Sequence, residues 1–427
     1  MPGPPHTPSL AEKASDIHGP LMAHPPRSRA YRCHQLLTLA AFCTALVMLC
    51  APLSFPILFS LSSSSSPSSL PSLLSRNGTD PYHGKSLAPS NYTVVTGLFR
   101  QSEPDFDPEG YDMLRDSFGL LYKGADRWLR FTEHITRLNK HADAHTTYKV
   151  LYVARHGEGT HNVAEAHYGT PAWNCFWSLL PGDGELMWGP DPPLTPLGRE
   201  QARRARDGWK AQMADGVPLP QVLYSSPLSR AAETLRITWA DILLHKGFMP
   251  VVMEQWRENI GLHTCDQRRS KREIAEAFPE FTFEPSFTEH DPYWDATYIE
   301  TEPQRAVRMR MALNEMFARD ARTFISITAH SGVIHAFFNA IGFPSFQVQT
   351  GGFVPVVIKA VSHPTATMSA ITRGQSGIAP TCTADPAPAS LMTGKASVPV
   401  QPTWYPPCGD GCTPSAVIGT WLLPTPT

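Results

Sequence analysis

The sequence predicts an α/β fold, layered around a mostly parallel sheet. Short apolar runs typical of buried strands alternate along the chain with longer segments of helical periodicity. Such alternation is typical of parallel strands covered by helices. Most of the 42 prolines of this 427-residue chain lie towards its two ends. This leaves a body of roughly 260–270 residues, near the upper size for one hydrophobic core.

The strands and helices follow from apolar patterning. Five apolar runs are predicted as strands, at 148–154, 221–225, 249–253, 323–328 and 354–358. Pro355 in the last run favours an edge strand, because proline cannot donate to a strand ladder. Helical patterns cover about 195–212, 229–245 and 302–319, and the first begins with Thr195 as N-cap before Pro196. In such sheets the active site gathers beyond the carboxyl ends of the strands.

Charge and cysteine content exclude several classes of partner. The formal net charge is −2 and the isoelectric point about 6.8, so no nucleic-acid partner is expected. None of the eight cysteines forms the CxxC pair of a zinc knuckle, and we predict neither a metal nor a cofactor. Cys175 and Cys265 either form a disulfide or remain buried thiols.

An apolar segment near the amino terminus predicts a membrane anchor. Residues 36–61 are almost wholly apolar, long enough to cross a bilayer. Arginines precede the segment at 27, 29 and 32, which places the amino terminus in the cytosol. The expectation is a single-pass membrane protein with its body lumenal or extracellular. A cleaved signal peptide, giving a secreted protein, and a cytoplasmic location are the alternatives.

Composition divides the chain into five parts. The predicted parts are a cytosolic tail (1–35), a transmembrane helix (36–61), a Ser/Pro-rich stalk (62–94), the globular body (95–360) and a Pro/Thr-rich tail without fold (361–427).

The end of the strand at 148–154 carries residues suited to phosphate chemistry. Arg155, His156 and Gly157 follow it directly. A neutral imidazole held as one tautomer can attack phosphorus, and an arginine can bind two phosphate oxygens at once. Gly157 is expected to leave the backbone open to a close approach by the phosphate.

Further motifs follow in an order that resembles the histidine phosphatase superfamily, in its phosphoglycerate mutase-like branch. The hallmark spans Arg155 to Asn162 as RHGEGTHN, and LTPLG at 194–198 is similar to the family's helix start. SSPLSRAAET at 225–234 resembles its second arginine motif, RENIG at 257–261 its acid region, and AHSG at 329–332 its second histidine motif. The resemblance covers about 148–359. It implies a three-layer α/β/α sandwich of phosphoglycerate mutase-like fold.

The resemblance narrows to a fungal subgroup described as phosphomutase-like. YGTPAW at 168–173, HTCDQRR at 263–269 and TGGFVP at 350–355 carry it. The acid phosphatase and phytase branch fits less well, since Gly159 and His161 replace its arginine and proline. That branch also uses a His-Asp pair as proton donor. Here the pair at His290-Asp291 lies before the last strand pattern, so we assign it no catalytic role.

The resemblance implies a role for each motif residue. His156 is the nucleophile and Glu258 the general acid, then base. Phosphate ligands are implied at Arg155, Asn162, Arg230 and His330, with Asn162 alternatively positioning the loop. Asp266, Arg268 and Arg269 either contact substrate or form a surface charge cluster.

The sequence therefore predicts a metal-independent phosphatase that hydrolyses a small phosphorylated metabolite through a phosphohistidine. A phosphoglycerate-type mutase is one alternative, although mutases of this family usually have Ser at the position of Gly159. A catalytically silent, membrane-anchored binding module is the other.

Overall fold

The computed structural model describes residues 90–363 and 375–383. The predicted cytosolic tail (1–35), the apolar segment (36–61), most of the stalk and most of the carboxyl-terminal tail lie outside the described residues. The structure therefore does not test where these parts of the chain begin and end.

Seven strands and eight α-helices form the described part of the chain. In chain order they are β1 (Ser90–Val94), α1 (Arg127–Lys140), β2 (Thr146–Arg155), α2 (Thr160–Tyr168), α3 (Thr170–Cys175), α4 (Pro196–Met213), β3 (Val222–Ser225), α5 (Ser229–Trp239), β4 (Val251–Val252), α6 (Lys271–Ala277), β5 (Thr282–Phe283), α7 (Glu302–Arg319), β6 (Phe324–Ala329), α8 (Ser331–Ile341) and β7 (Phe353–Ser362).

The strands form one mixed sheet in the order β1-β7-β2-β6-β3-β4-β5. The five strands from β2 to β5 are parallel to one another, and β7 runs antiparallel to β2 and β1. The predicted mostly parallel sheet is confirmed.

Helices cover both faces of this sheet. Leu151 and Val153 of β2 belong to a core shared with α7 and α8, whereas Val150 and Tyr152 belong to a second core shared with α1, α4 and α5. This alternation is the period of two that a strand buried on both faces requires. The predicted three-layer α/β/α sandwich is therefore confirmed.

Two predictions about the sheet are wrong in detail. β7 is not an edge strand, because β1 pairs outside it. Yet β1 pairs only with 358–362 of β7, so Pro355 lies beyond the end of that ladder, where its missing N–H costs nothing. β1 itself falls at 90–94, within the segment predicted as stalk; its five residues add the outermost strand.

The carboxyl-terminal tail also contributes to the folded body. Residues 361 and 362 continue β7, and Cys382 forms a disulfide with Cys175 of α3. Cys265 is a free, buried thiol. The predicted pairing of Cys175 with Cys265 is therefore wrong, and the alternative of two buried thiols holds for Cys265 but not for Cys175. The buried residues Trp173, Trp177 and Trp188 pack together in a small cluster of their own.

The predicted membrane localisation needs correction. Within 90–363 and 375–383, no helix has the length and apolar character needed to cross a membrane. The apolar segment 36–61 itself lies outside the residues that the structure describes. We therefore withdraw the anchor, the membrane partner and the lumenal or extracellular placement.

Candidate active site

Three adjacent parallel strands end at one edge of the sheet. In the register, Arg155 of β2 lies opposite Ala329 of β6, and Ser225 of β3 lies opposite Thr328. The backbone N–H of His156 donates to the carbonyl of Ala329 at 3.0 Å. Residues that are far apart in sequence thereby meet at this edge, as the parallel arrangement predicts.

His156 is buried and held in one tautomer. Its Nδ1 lies 2.6 Å from the carbonyl oxygen of Gly157. Because a carbonyl only accepts, Nδ1 carries the proton and Nε2 keeps its lone pair. Burial, reinforced by the positive charges of Arg230 and Arg155, lowers the pKa of His156 well below its usual value. The imidazole is therefore neutral, as a nucleophile must be.

Close backbone packing requires glycine at position 157. A Cβ at position 157 would lie 2.2 Å from the carbonyl oxygen of Gly198, at the start of α4. A Cβ at position 198 would in turn lie 2.1 Å from the carbonyl oxygen of Glu158. The two glycines let the loop after β2 pack directly on α4, which is sufficient to explain Gly157; the close approach of a phosphate there stays a prediction.

Two guanidinium groups accompany the histidine. Nη1 and Nη2 of Arg230, a residue of α5 with 1% exposure, donate to the carbonyl of Cys265 and to Asp266 Oδ1, both at 2.8 Å. Nη1 of Arg155 donates to the carbonyl of Val348 at 2.9 Å. The Nε atoms of both arginines are buried and find no hydrogen-bond partner among the described residues. Each guanidinium thus has donors left for an anion.

Glu258 is a buried carboxyl with one unengaged oxygen. Its Oε2 accepts from the backbone N–H of Gly332 at 3.0 Å, whereas Oε1 has no partner within the described part of the chain. Burial, together with the negative charge of Asp266, raises the pKa of Glu258, and Arg305 opposes this effect. The protonated form of Glu258 therefore persists to higher pH than in an exposed glutamate.

His330 is a second buried histidine and lies beside His156. Its ring centroid lies 5.0 Å from that of His156, and its Nε2 is 2.7 Å from the hydroxyl of Ser226. Its buried Nδ1 is without a hydrogen-bond partner in the residues described. Burial first, and Arg230 second, lower the pKa of His330 well below its usual value. Like His156, it is a neutral ring.

The remaining predicted site residues differ in position. Asn162 accepts from the backbone N–H of Gly159 at 3.0 Å, which favours the loop-positioning alternative. Asp266 touches Arg230 directly, as described above, whereas Arg269 pairs with Asp191 at 3.3 Å.

Arg268 is part of the protein interior. Its side chain has 0% exposure, and its guanidinium donates to Glu254 and to the carbonyls of 269, 288, 289 and 290. We therefore withdraw Arg268 as a substrate ligand and explain its charge by this internal pairing.

Sequence reasoning missed three side chains near the site. His161 lies beside His156, with 5.3 Å between the ring centroids. Arg305 lies close to Glu258. Nη1 of Arg305 and Oε1 of Glu258 are both within 3 Å of the position that a Cβ atom on Gly332 would occupy. Arg257 binds Asp291 with two hydrogen bonds of 2.7 Å. His161 and Arg257 stand inside the motifs RHGEGTHN and RENIG, which were the available signals, whereas Arg305 had none.

One group of side chains has the composition of a metal site. Ligand atoms of His263, Cys265 and Asp266 all lie within 4.8 Å of one another. Asp266 is, however, already paired with Arg230 at 2.8 Å, and a cation would have to compete with that guanidinium. The local charge favours an anion instead.

Comparison with known proteins defines the class first. The profile of the histidine phosphatase superfamily (branch 1) matches residues 151–348. A "Probable phosphoglycerate mutase" of Arthroderma benhamiae is 41% identical over 283 residues, 63% of this chain and 84% of the relative. The chain therefore belongs to the histidine phosphatase superfamily, whose catalysts are phosphatases or mutases.

Other relatives place the chain in a fungal subgroup. "Probable phosphoglycerate mutase PMU1" of Saccharomyces cerevisiae is 34% identical over 233 residues, 50% of this chain and 79% of the relative. "Phosphomutase-like protein 3" of Candida albicans is 33% identical over 276 residues, 64% of this chain and 82% of the relative. The predicted resemblance to fungal phosphoglycerate mutase-like proteins is confirmed.

Proposed function

We propose that this protein is a phosphatase that hydrolyses the phosphate monoester of a small metabolite through a phosphohistidine on His156. The observation that carries the proposal is the state of that imidazole. It is neutral, its Nδ1 is bonded to the Gly157 carbonyl, and two partly unengaged guanidinium groups stand nearby. This combination supplies a nucleophile and a binding place for the phosphoryl oxygens.

The reaction takes two balanced steps. Nε2 of His156 attacks phosphorus, the bond from phosphorus to the ester oxygen breaks, and protonated Glu258 gives its proton to the leaving alcohol. Water then attacks the phosphohistidine, the N–P bond breaks, and the Glu258 carboxylate takes a proton from that water. Arg155, Arg230 and His330 hold the phosphoryl oxygens throughout. No step needs a metal ion, and we expect a chelator to leave the rate unchanged.

A mutase is the second candidate, favoured by the names of the relatives from Arthroderma benhamiae and Saccharomyces cerevisiae. A mutase of the phosphoglycerate type needs a bisphosphate primer to keep its histidine phosphorylated. Gly159 weighs against it, since no side chain at that position can contact a second anionic group. Release of inorganic phosphate without any primer supports the phosphatase; strict dependence on a bisphosphate supports the mutase.

The decisive experiment is a screen of phosphorylated metabolites for release of inorganic phosphate. His156→Ala is expected to be inactive, and Glu258→Gln to lose about 10²–10⁴-fold in kcat. His335→Ala is the matched control, because that histidine is half-exposed on α8 and, among the residues described, bonds only to Glu302 and Ser345. Full activity of His156→Ala would refute the proposal.

Trapping separates an enzyme from a silent binding module. A labelled substrate quenched in alkali should leave a phosphorylated histidine on the wild type and none on His156→Ala. Binding of phosphate esters without turnover or label would instead support a module that only binds.

A further inference from the structure

A third histidine, His161, stands at the nucleophile, and the proposed reaction leaves it without a role. It lies on α2 with 8% exposure, and its ring centroid is 5.3 Å from that of His156. Burial lowers its pKa well below the usual value, and Arg230, His156 and Arg155 lower it further. His161 thus belongs electrostatically to the phosphate site and carries no charge of its own at neutral pH.

One edge of the His161 ring packs against Gly159. A Cβ at position 159 would lie 2.7 Å from Nδ1 of His161 and 2.8 Å from Cε1. Gly159 has a φ of −104°, which any residue can adopt. The backbone therefore does not demand glycine there. The imidazole of His161 fills the space that a side chain at 159 would need.

The same edge of the ring determines where its proton lies. Nδ1 of His161 is buried and has no hydrogen-bond partner in 90–363 or 375–383. A proton on Nδ1 would have no acceptor there, so the neutral ring carries its proton on Nε2. A histidine that served only for packing would leave this polar ring buried at a cost that phenylalanine avoids.

We propose that His161 is a substrate-contacting residue, whose Nε2–H donates a hydrogen bond to the phosphoryl group held against His156. Gly159 is glycine because the His161 ring must stand in that position. A neutral donor suits this place, since Arg155 and Arg230 already supply positive charge for the anion. The assignment rests on the proposed phosphate chemistry, but phosphate binding tests it without turnover.

The test measures binding of inorganic phosphate to the full chain by calorimetry at pH 7.5. His161→Phe keeps a ring of similar size without a donor, and we expect affinity to fall about 10-fold or more, as for loss of a hydrogen bond to a charged group. His161→Gln places an amide N–H near the position of Nε2 and should recover part of the loss. Thermal unfolding of each variant shows that it remains folded.

Gly159 provides a matched double-mutant cycle. Gly159→Ala should weaken phosphate binding about as much as His161→Phe, because the added methyl displaces the ring. In a His161→Ala background the nearest remaining neighbour of that methyl is the carbonyl oxygen of Pro193, at 3.4 Å, and the methyl should change the affinity by less than about twofold. This cycle also decides the question if His161→Phe fails to fold.

The outcomes are distinct. Unchanged phosphate affinity in a folded His161→Phe protein overturns the proposal, and so does an equal effect of Gly159→Ala in both backgrounds. Failure of the wild type to bind phosphate overturns it as well. If the wild type binds phosphate yet hydrolyses no ester, the phosphatase proposal fails, while the variant affinities still decide whether His161 contacts the phosphoryl group.

Discussion

Asp291 lies beside a histidine in sequence and resembles half of a proton-donor pair, yet its contacts indicate a structural role. Its two carboxylate oxygens accept from Nη1 and Nη2 of Arg257, each at 2.7 Å. The side chains have 8% and 1% exposure respectively. Asp291 also accepts from the backbone N–H groups of 268, 293 and 294. It therefore fastens the segment that carries Glu258 to the loop at 290–294.

The size of this contribution follows from the pKa of Asp291. Burial alone would raise that pKa, but the charge and hydrogen bonds of Arg257 outweigh burial and lower it from 3.8 to about 2. This difference corresponds to about 2 kcal/mol of folding free energy at neutral pH. Because the folded pKa lies below the unfolded one, the contribution is present above pH 4 and is lost as the pH falls towards 2.

Asp291→Asn is therefore expected to lower the free energy of unfolding by about 2–4 kcal/mol at pH 7. Arg257 keeps its 2.9 Å contact with Glu254, so the loss stays below that of an entirely unpaired buried charge. Urea unfolding measures this loss in the free energy of unfolding. The difference from wild type should shrink to roughly half by pH 3, and Glu276→Gln, which removes an exposed carboxylate on α6, should cost less than about 0.5 kcal/mol.

Kinetics complete the test. Asp291→Asn should keep kcat within about 10-fold of wild type, whereas Glu258→Gln should lose about 10²–10⁴-fold. If Asp291→Asn abolished turnover and left the unfolding free energy unchanged, Asp291 would be a proton donor and the structural reasoning would be refuted.

Two further predictions concern pH and redox state. The pKa of His156 lies below 6.5 and that of Glu258 above 4.5, so kcat/KM should remain high below pH 6.5 and fall on the alkaline side as Glu258 deprotonates. Glu258→Gln should remove this alkaline limb of the pH profile. A loss of kcat/KM on the acid side, centred at pH 6.5, would contradict the prediction. Reducing the Cys175–Cys382 disulfide, whose partners are 207 residues apart, should lower the free energy of unfolding by about 3–5 kcal/mol. Thermal unfolding with and without dithiothreitol measures it, and Cys382→Ser should not respond to the reductant.

Local patterns predicted the central strands and the long helices because those elements combine burial with clear periodicity. Thr195 caps α4 through a hydrogen bond from the Gly198 N–H at 3.0 Å, as expected from its position before Pro196. β1 escaped prediction because five residues beside a Ser/Pro-rich segment carry little signal alone, and their strand exists through pairing with β7. α5 ends at Trp239, whereas its pattern predicted a helix to about residue 245. The end point of this helix depends on tertiary packing, which the local pattern does not contain.

The site residues divide in the same way, into those that local sequence patterns identify and those whose contacts only tertiary packing decides. His156 and Arg230 stand in contiguous motifs, and the structure brings them to one edge of the sheet. Arg230 pairs with Asp266, 36 positions away along the chain, and Arg268 pairs with Glu254, 14 positions away. These pairs form only on folding, so no spacing rule could assign Asp266 to one arginine and Glu254 to the other. Arg268 is an example: its charge suggested that it binds substrate, but its guanidinium pairs with the buried carboxylate of Glu254 inside the protein.

The proposed chemistry needs a neutral imidazole and a protonated carboxyl in the same molecule. With ordinary pKa values of 6.5 and 4.5, only about one molecule in a hundred would hold both forms at pH 5.5. Burial alters this because it disfavours charge of either sign. It is the largest cause both of the lowered pKa of His156 and of the raised pKa of Glu258. The segments that bury these two side chains therefore raise the share of molecules in the protonation state that the proposed reaction needs.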